Sequence, residues 1–179
     1  HNSYYFHKDD NVITNKEEVC GDFEKLINLQ LKEKHPKSWM RAFFNMGLIN
    51  YIEGSRRMLP CQAGEMNFFV EPYGDIYPCN GLEKKYWKKR MGNIRETPNF
   101  KEIWEGEQAE QVRQMVRRCP KNCWMVGTAS PVMHKYIKYP LKWALKNKLR
   151  SLQGKTACLD KCWYNVGQDP SQGDLREVF

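Results

Sequence analysis

Cys61 and Cys79 bracket a turn-forming glycine in the spacing C-x12-G-x4-C, and Cys119 and Cys123 follow as a second, tight pair. Two separated pairs of thiolates are what a tetrahedral soft-metal or iron–sulfur site requires, because four strong sulfur donors close the coordination. Such a site constrains a fold more than a hydrophobic pattern does, since it forces distant segments to meet. The 179 residues hold seven cysteines in all. No secretion signal opens the chain, for His1-Asn-Ser-Tyr-Tyr-Phe6 is polar and aromatic, and paired thiols outside a secretory context read as metal ligands rather than disulfides. Cysteines are also small buried hydrophobes. The hairpin spacing beside C-x3-C pairs decides for metal.

The residues around the first pair read as a β-hairpin. Met66-Asn-Phe-Phe-Val-Glu71 alternates, with Met66, Phe68 and Val70 on one side, and Pro72-Tyr-Gly74-Asp75 is turn chemistry in which Gly74 takes a positive φ. Ile76-Tyr77 returns as the partner strand, and Pro78 ends the pairing before Cys79. The hairpin so carries Cys61 and Cys79 to one end of a small sheet. Met91–Arg95 reads as a further short strand or turn. Asn99 caps a helix bearing Phe100, Ile103 and Trp104, and Val112, Met115 and Val116 continue the helical spacing toward Cys119.

Helices flank this middle. Thr14, with Glu17 three residues on, caps a helix over 16–34 whose stripe is Val19, Phe23, Leu26 and Ile27. Ser38 caps a second over 38–54 with Met40, Phe43, Phe44, Gly47, Leu48, Tyr51 and Ile52 inward. After Cys123, Pro140 opens a helix in which Leu141, Leu145, Leu149 and Leu152 repeat until Gly154. The fold class is α+β: a small hairpin and sheet core that holds the four-cysteine site, flanked by several α-helices.

The stretch Cys61 to Cys79 resembles the opening of the SPASM/twitch auxiliary domain of radical S-adenosylmethionine enzymes. That family is marked by C-x9–15-G-x4-C, then C-x2-C-x5-C-x3-C and one more Cys. Cys61, Gly74 and Cys79 match the first element, and Cys119 and Cys123 match the C-x3-C step. The C-x2-C-x5 portion is missing, because residues 111–118 read Gln-Val-Arg-Gln-Met-Val-Arg-Arg. Gly92-Asn-Ile-Arg95 and Phe100 to Trp104 are similar to the family's connector. The resemblance implies a twitch-like domain with one [4Fe–4S] cluster on Cys61, Cys79, Cys119 and Cys123, an electron relay and a support for the substrate pocket. Zinc, single iron and a cluster all accept four thiolates, so a stand-alone tetrathiolate zinc or mononuclear-iron interaction domain is the alternative, and either metal can load in a heterologous preparation.

The cluster that opens S-adenosylmethionine needs C-x3-C-x2-C. Val126 follows Cys123 at the third position and Asn165 follows Cys162, so no catalytic residue is assigned and the chain is not catalytic alone. With no initiator Met, it reads as a C-terminal fragment. Residues 1–57 form a helical link to a missing N-terminal radical SAM barrel, 58–126 the cluster-binding domain, and 127–179 a basic amphipathic helix and tail. Cys158 and Cys162 sit one turn apart on a helix as packed thiols, with ligation as their other use; Cys20 is structural.

Of the net charge of +8, the stretch from Gln111 to Leu159 carries the excess, with eleven Lys or Arg and no Asp or Glu. Arg117, Arg118 and Lys121 flank the second cysteine pair and read as stabilisers of a reduced cluster. Residues 134–155, with Tyr136, Tyr139 and Trp143, read first as a helix docked on the core by its leucines, next as a partner for an anionic membrane surface or anionic substrate. Nucleic acid ranks last, since no base-reading motif accompanies the charge. Helices stripped of a barrel leave apolar faces, which implies a homodimer of the fragment. No apolar run nears the ~20 residues that span a bilayer, and the expected location is cytoplasmic.

Overall fold

The computed structural model describes residues 13–79, 90–119 and 121–159. Among them are six helices and a three-stranded antiparallel sheet, the α+β class expected. Two units divide them: residues 61–119, and residues 13–60 together with 121–159. The readings made for residues 1–12, for Cys162 and for the C-terminal tail lie outside the described residues.

The larger unit is helical. Helix α1 (Lys16–Lys32) starts one residue later than the Thr14 cap implies, with Asn15 in the cap position. Ile27 and Leu31 face inward, whereas Leu26 is turned out. Helix α2 (Pro36–Ile52) begins at Pro36, not Ser38: proline's missing N–H costs nothing at a first position, and its fixed φ suits the helix. Its buried residues include Ala42, Phe43, Asn45, Met46, Ile49 and Asn50, so the helix is covered on more sides than the expected single stripe. Asn45 Nδ2 reaches Gln30 Oε1 at 2.9 Å, and Asn50 Nδ2 donates to the Arg56 carbonyl at 2.6 Å, which satisfies the polar groups that this burial traps.

Helix α5 (Val126–Lys135) has no counterpart in the sequence reading, because Gly127 and Pro131 argue against a helix there. Burial of Ala129, Val132 and Met133 in the unit's core outweighs the bond lost at Pro131. Helix α6 (Lys138–Leu152) packs on α1 and α2. Here the expected orientation is overturned. The core takes Pro140, Trp143, Ala144 and Asn147, while Leu141, Leu145, Leu149 and Leu152 are exposed. One indole buries more apolar area than a leucine does, and Trp143 meets Phe43 edge-on at 5.6 Å while its Nε1 donates to the Cys158 carbonyl at 3.2 Å. Asn147, fully buried, donates to the Trp143 carbonyl and accepts from the Cys158 N–H at 2.6 Å. No helix among the described residues is long and apolar enough to cross a membrane.

The smaller unit is built on the hairpin. Strands β1 (Phe69–Val70) and β2 (Asp75–Tyr77) pair antiparallel with Phe69 opposite Tyr77, and β3 (Gly92–Asn93) adds to β2 with Ile76 opposite Gly92. Gly74 sits at φ +90 in the turn, as its position in the sequence requires. A Cβ there would press on the Asn93 side chain. The strand is shorter than the alternation implied: Met66 lies in the turn before it, and Met66, Phe68 and Val70 are all exposed, Phe68 with its ring 5.0 Å from that of Phe100. Ala63, Ile76, Met91, Ile103, Ala109, Val112 and Val116 form a small core, which Ile76 enters from β2 directly opposite Val70. Helix α3 (Phe100–Glu105) carries the expected cap, Asn99 accepting from the Lys101 N–H at 3.1 Å, and α4 (Glu107–Arg117) runs on toward Cys119.

Candidate metal centre

Cys61 begins a tight loop. The Gln62 carbonyl accepts from the N–H groups of Glu65 and Met66, the Gly64 N–H donates to the Asn67 carbonyl at 2.7 Å, and Gly64 holds φ +78. Asn67 Nδ2 then reaches across to the Pro78 carbonyl at 3.2 Å. A Cβ on Gly64 would stand 3.2 Å from that of Pro78, so only glycine lets the loop close on the strand end. Cys61 and Cys79 are half-buried and pack against the same small core. The hairpin thus brings the two segments together, as its spacing demands. Gly64 and Asn67 do this work alongside Gly74; the Cys-x-x-Gly spacing was their only trace in the sequence.

Helix α4 is tied to the same loop by two arginines. Arg113 donates to the Gly64 carbonyl at 3.3 Å, to the Trp104 carbonyl at 2.9 Å and to Glu110 at 2.8 Å, with its guanidinium 5.5 Å above the Trp104 ring. Arg117 bridges Glu110 at 3.1 Å and Glu65 at 3.2 Å. The helix ends there, and the Cys119 N–H donates to the Val116 carbonyl at 3.0 Å. The 61–67 loop therefore touches both the segment that carries Cys79 and the helix that leads to Cys119. Arg117 was expected to lend its charge to the sulfurs. It stands between two carboxylates, which counter much of that charge. The hydrogen bond from Arg113, with help from Arg117, holds the Glu110 carboxyl below the usual range.

Cys123 belongs to the helical unit. Its carbonyl accepts from Arg57 Nη1 at 2.6 Å, and the buried Arg57 also donates to the carbonyls of Leu59 and Thr128. Asn122 Nδ2 donates to the carbonyls of Tyr51 and Ser55. Burial, with the charge of Cys123 second, pushes the Tyr51 hydroxyl up. Arg57 and Tyr51 lie far from Cys123 in the chain, and nothing in the sequence paired them with it.

Among the described residues, no group of three or more His, Cys, Asp or Glu side chains is gathered as a metal site. What fits an iron–sulfur group is the donor chemistry: half-buried thiols at Cys61, Cys79, Cys119 and Cys123, on segments fixed by hydrogen bonds to backbone. The remaining cysteines are placed differently. Cys20 packs against the helical core from α1. Cys158 follows the end of α6 in irregular backbone, not on the expected helix, and the N–H and carbonyl of its backbone are engaged by Asn147 and Trp143.

The chain matches no curated protein and no solved structure among those with which it was compared. It does match one family model, which begins at Cys61, ends two residues beyond Cys123 and leaves out Cys20, Cys158 and Cys162. Residues 61–125 match the SPASM family, an iron–sulfur cluster-binding domain, as the spacing of Cys61, Gly74 and Cys79 implied.

Proposed function

We propose that residues 61–125 bind one [4Fe–4S] cluster through Cys61, Cys79, Cys119 and Cys123, as the auxiliary domain of a radical S-adenosylmethionine enzyme whose barrel is a separate part of the protein. The observation that carries this reading is the extent of the family match, which encloses all four thiols and none of the other three cysteines. The missing C-x2-C-x5 element supports one cluster over two. A cluster so held supplies one-electron transfer. Thiolates on all four irons leave no position for a substrate, so the domain's part is electron relay and support of the substrate pocket. Chemistry of this kind needs reduced thiols, which favours the cytoplasm.

The chain's own residues supply the scaffold. Gly64 and Asn67 close the loop of Cys61 onto the end of β2, Arg113 and Arg117 hold the helix before Cys119, and Arg57 grips the carbonyl of Cys123.

Anaerobic reconstitution followed by iron and acid-labile sulfide analysis tests the reading. About four of each per chain are expected, with a broad brown absorbance. Changing any one of the four cysteines to Ser is expected to cut the bound iron sharply, whereas Cys158→Ser leaves it in place. A colourless, zinc-loaded chain, or Ser variants with full iron content, overturns the proposal.

A further inference from the structure

Helix α6 presents two opposed faces. Pro140, Trp143, Ala144 and Asn147 lie in the core, and on the far side four leucines stand in water on successive turns. Leu141 is 45% exposed, Leu145 46%, Leu149 61% and Leu152 71%. Single exposed leucines are ordinary. A stripe over twelve positions, about 17 Å long at 1.5 Å per step, is not.

The charges beside the stripe say what covers it. At 100° per residue Lys138, Lys142 and Lys146 fall within and along one edge of the leucine arc, and all three are exposed. Lys148 is used otherwise: its ammonium donates to the carbonyls of Leu31, Lys32 and Glu33. At the start of the helix the Lys138 ammonium lies 5.2 Å over the ring of Tyr139, and that of Lys135 5.9 Å over Tyr136. No acidic residue occurs between Gln111 and Leu159. A second copy of the chain would set these lysines against their own like charges. A nucleic acid would leave the leucines in water. A bilayer with anionic headgroups satisfies both features, because leucines enter the headgroup–acyl boundary while lysine stems reach back to phosphate.

The geometry points to α6 as an interfacial anchor that lies along an anionic membrane surface, leucines down and Lys138, Lys142 and Lys146 among the headgroups. Four leucines and three lysines are a modest area, so the binding is reversible and sensitive to salt. It is independent of the cluster, since every residue in it belongs to one helix of the helical unit.

Sedimentation of the full chain with vesicles tests it. The chain is expected to pellet with phosphatidylcholine–phosphatidylglycerol vesicles at low salt, not with phosphatidylcholine alone, and to be released by high salt. Each lysine contributes roughly fivefold, so K138Q/K142Q/K146Q weakens binding about a hundredfold. L145Q/L149Q abolishes it with every charge kept, and since both side chains are exposed the circular dichroism spectrum is unchanged. The proposal falls if the chain ignores anionic vesicles at low salt, or binds neutral ones equally. It also falls if L145Q/L149Q binds like the parent, which is the mark of a mere polyanion site, or if those leucines instead hold together a dimer that shuns vesicles.

Discussion

Gly47 lies inside α2, facing the indole of Trp124, whose Nε1 donates to the Phe44 carbonyl at 2.8 Å and whose ring stacks on Phe44 with centroids 6.2 Å apart. Two effects of Gly47→Ala oppose each other. Alanine raises helix propensity by about 1 kcal/mol in an exposed helix. Its Cβ, however, would overlap the indole ring, which is buried, hydrogen-bonded and stacked, and so cannot yield. Overpacking wins, with a net loss of about 1–3 kcal/mol expected in urea denaturation. An unchanged midpoint would mean that Trp124 has somewhere else to go. Such a position cannot be recognised in the sequence, where Gly47 is one more small residue on a helical face. Gly74 could be, because it stands in a Pro-x-Gly-Asp turn between two strands.

Helix α4 is joined to the 61–67 loop by polar contacts from Arg113 and Arg117 as well as by the core that Ala109, Val112 and Val116 share with Ala63. Glu110 sits between Arg113 and Arg117, and its carboxyl ionises more readily folded than unfolded. A depressed carboxylate stabilises above its unfolded value and ceases to do so as pH falls through the folded one. Relative to the intrinsic rate, which itself slows in acid, amide hydrogen exchange in α4 is therefore expected to quicken as the pH drops below the 4.5 of an ordinary glutamate, while α2, without such a pair, keeps its protection. In Glu110→Gln the quickening should be present at neutral pH and gain little in acid. If α4 in the parent is indifferent to acid, these pairs do not hold it. Among the elements, the hairpin and the Asn99-capped helix were legible because turn and cap chemistry is local. The first helix was legible from its spacing. Helix α5 was hidden behind Gly127 and Pro131, and the period of α6 identified a helix without saying which side faces inward. That choice was made by Trp143 and by Asn147, whose partners lie on other segments.

At the scale of the molecule, the two units differ in what holds them. The helical unit centres on Phe43, Trp124 and Trp143. Among the described residues the 61–119 unit buries a small aliphatic core around Ile76, Met91 and Ile103, with Trp104 packed at its edge. Units of that size commonly lean on a bound metal. Stripping the iron from the reconstituted chain with a chelator is therefore expected to open residues 61–119 to limited proteolysis and spare residues 13–60 and 121–159. Equal resistance before and after would show that the small unit stands without its metal, and that the four thiols contribute nothing to its folding. The sequence announced those thiols plainly. It did not reveal that Cys123 would lie in a different unit from its three companions, because Arg57, Asn50 and Asn122 bind backbone carbonyls from positions with no pattern.

Lys148 closes the end of α1 with three carbonyl contacts at 2.8–3.1 Å, and the face of Trp39 lies 5.3 Å from its ammonium. An amine so engaged reacts slowly with an acylating reagent. Mass mapping after brief treatment with an N-hydroxysuccinimide ester should find Lys142 and Lys146 tagged early and Lys148 late. A Lys148 tagged as fast as its neighbours would mean that the clasp between the two helices is open in solution.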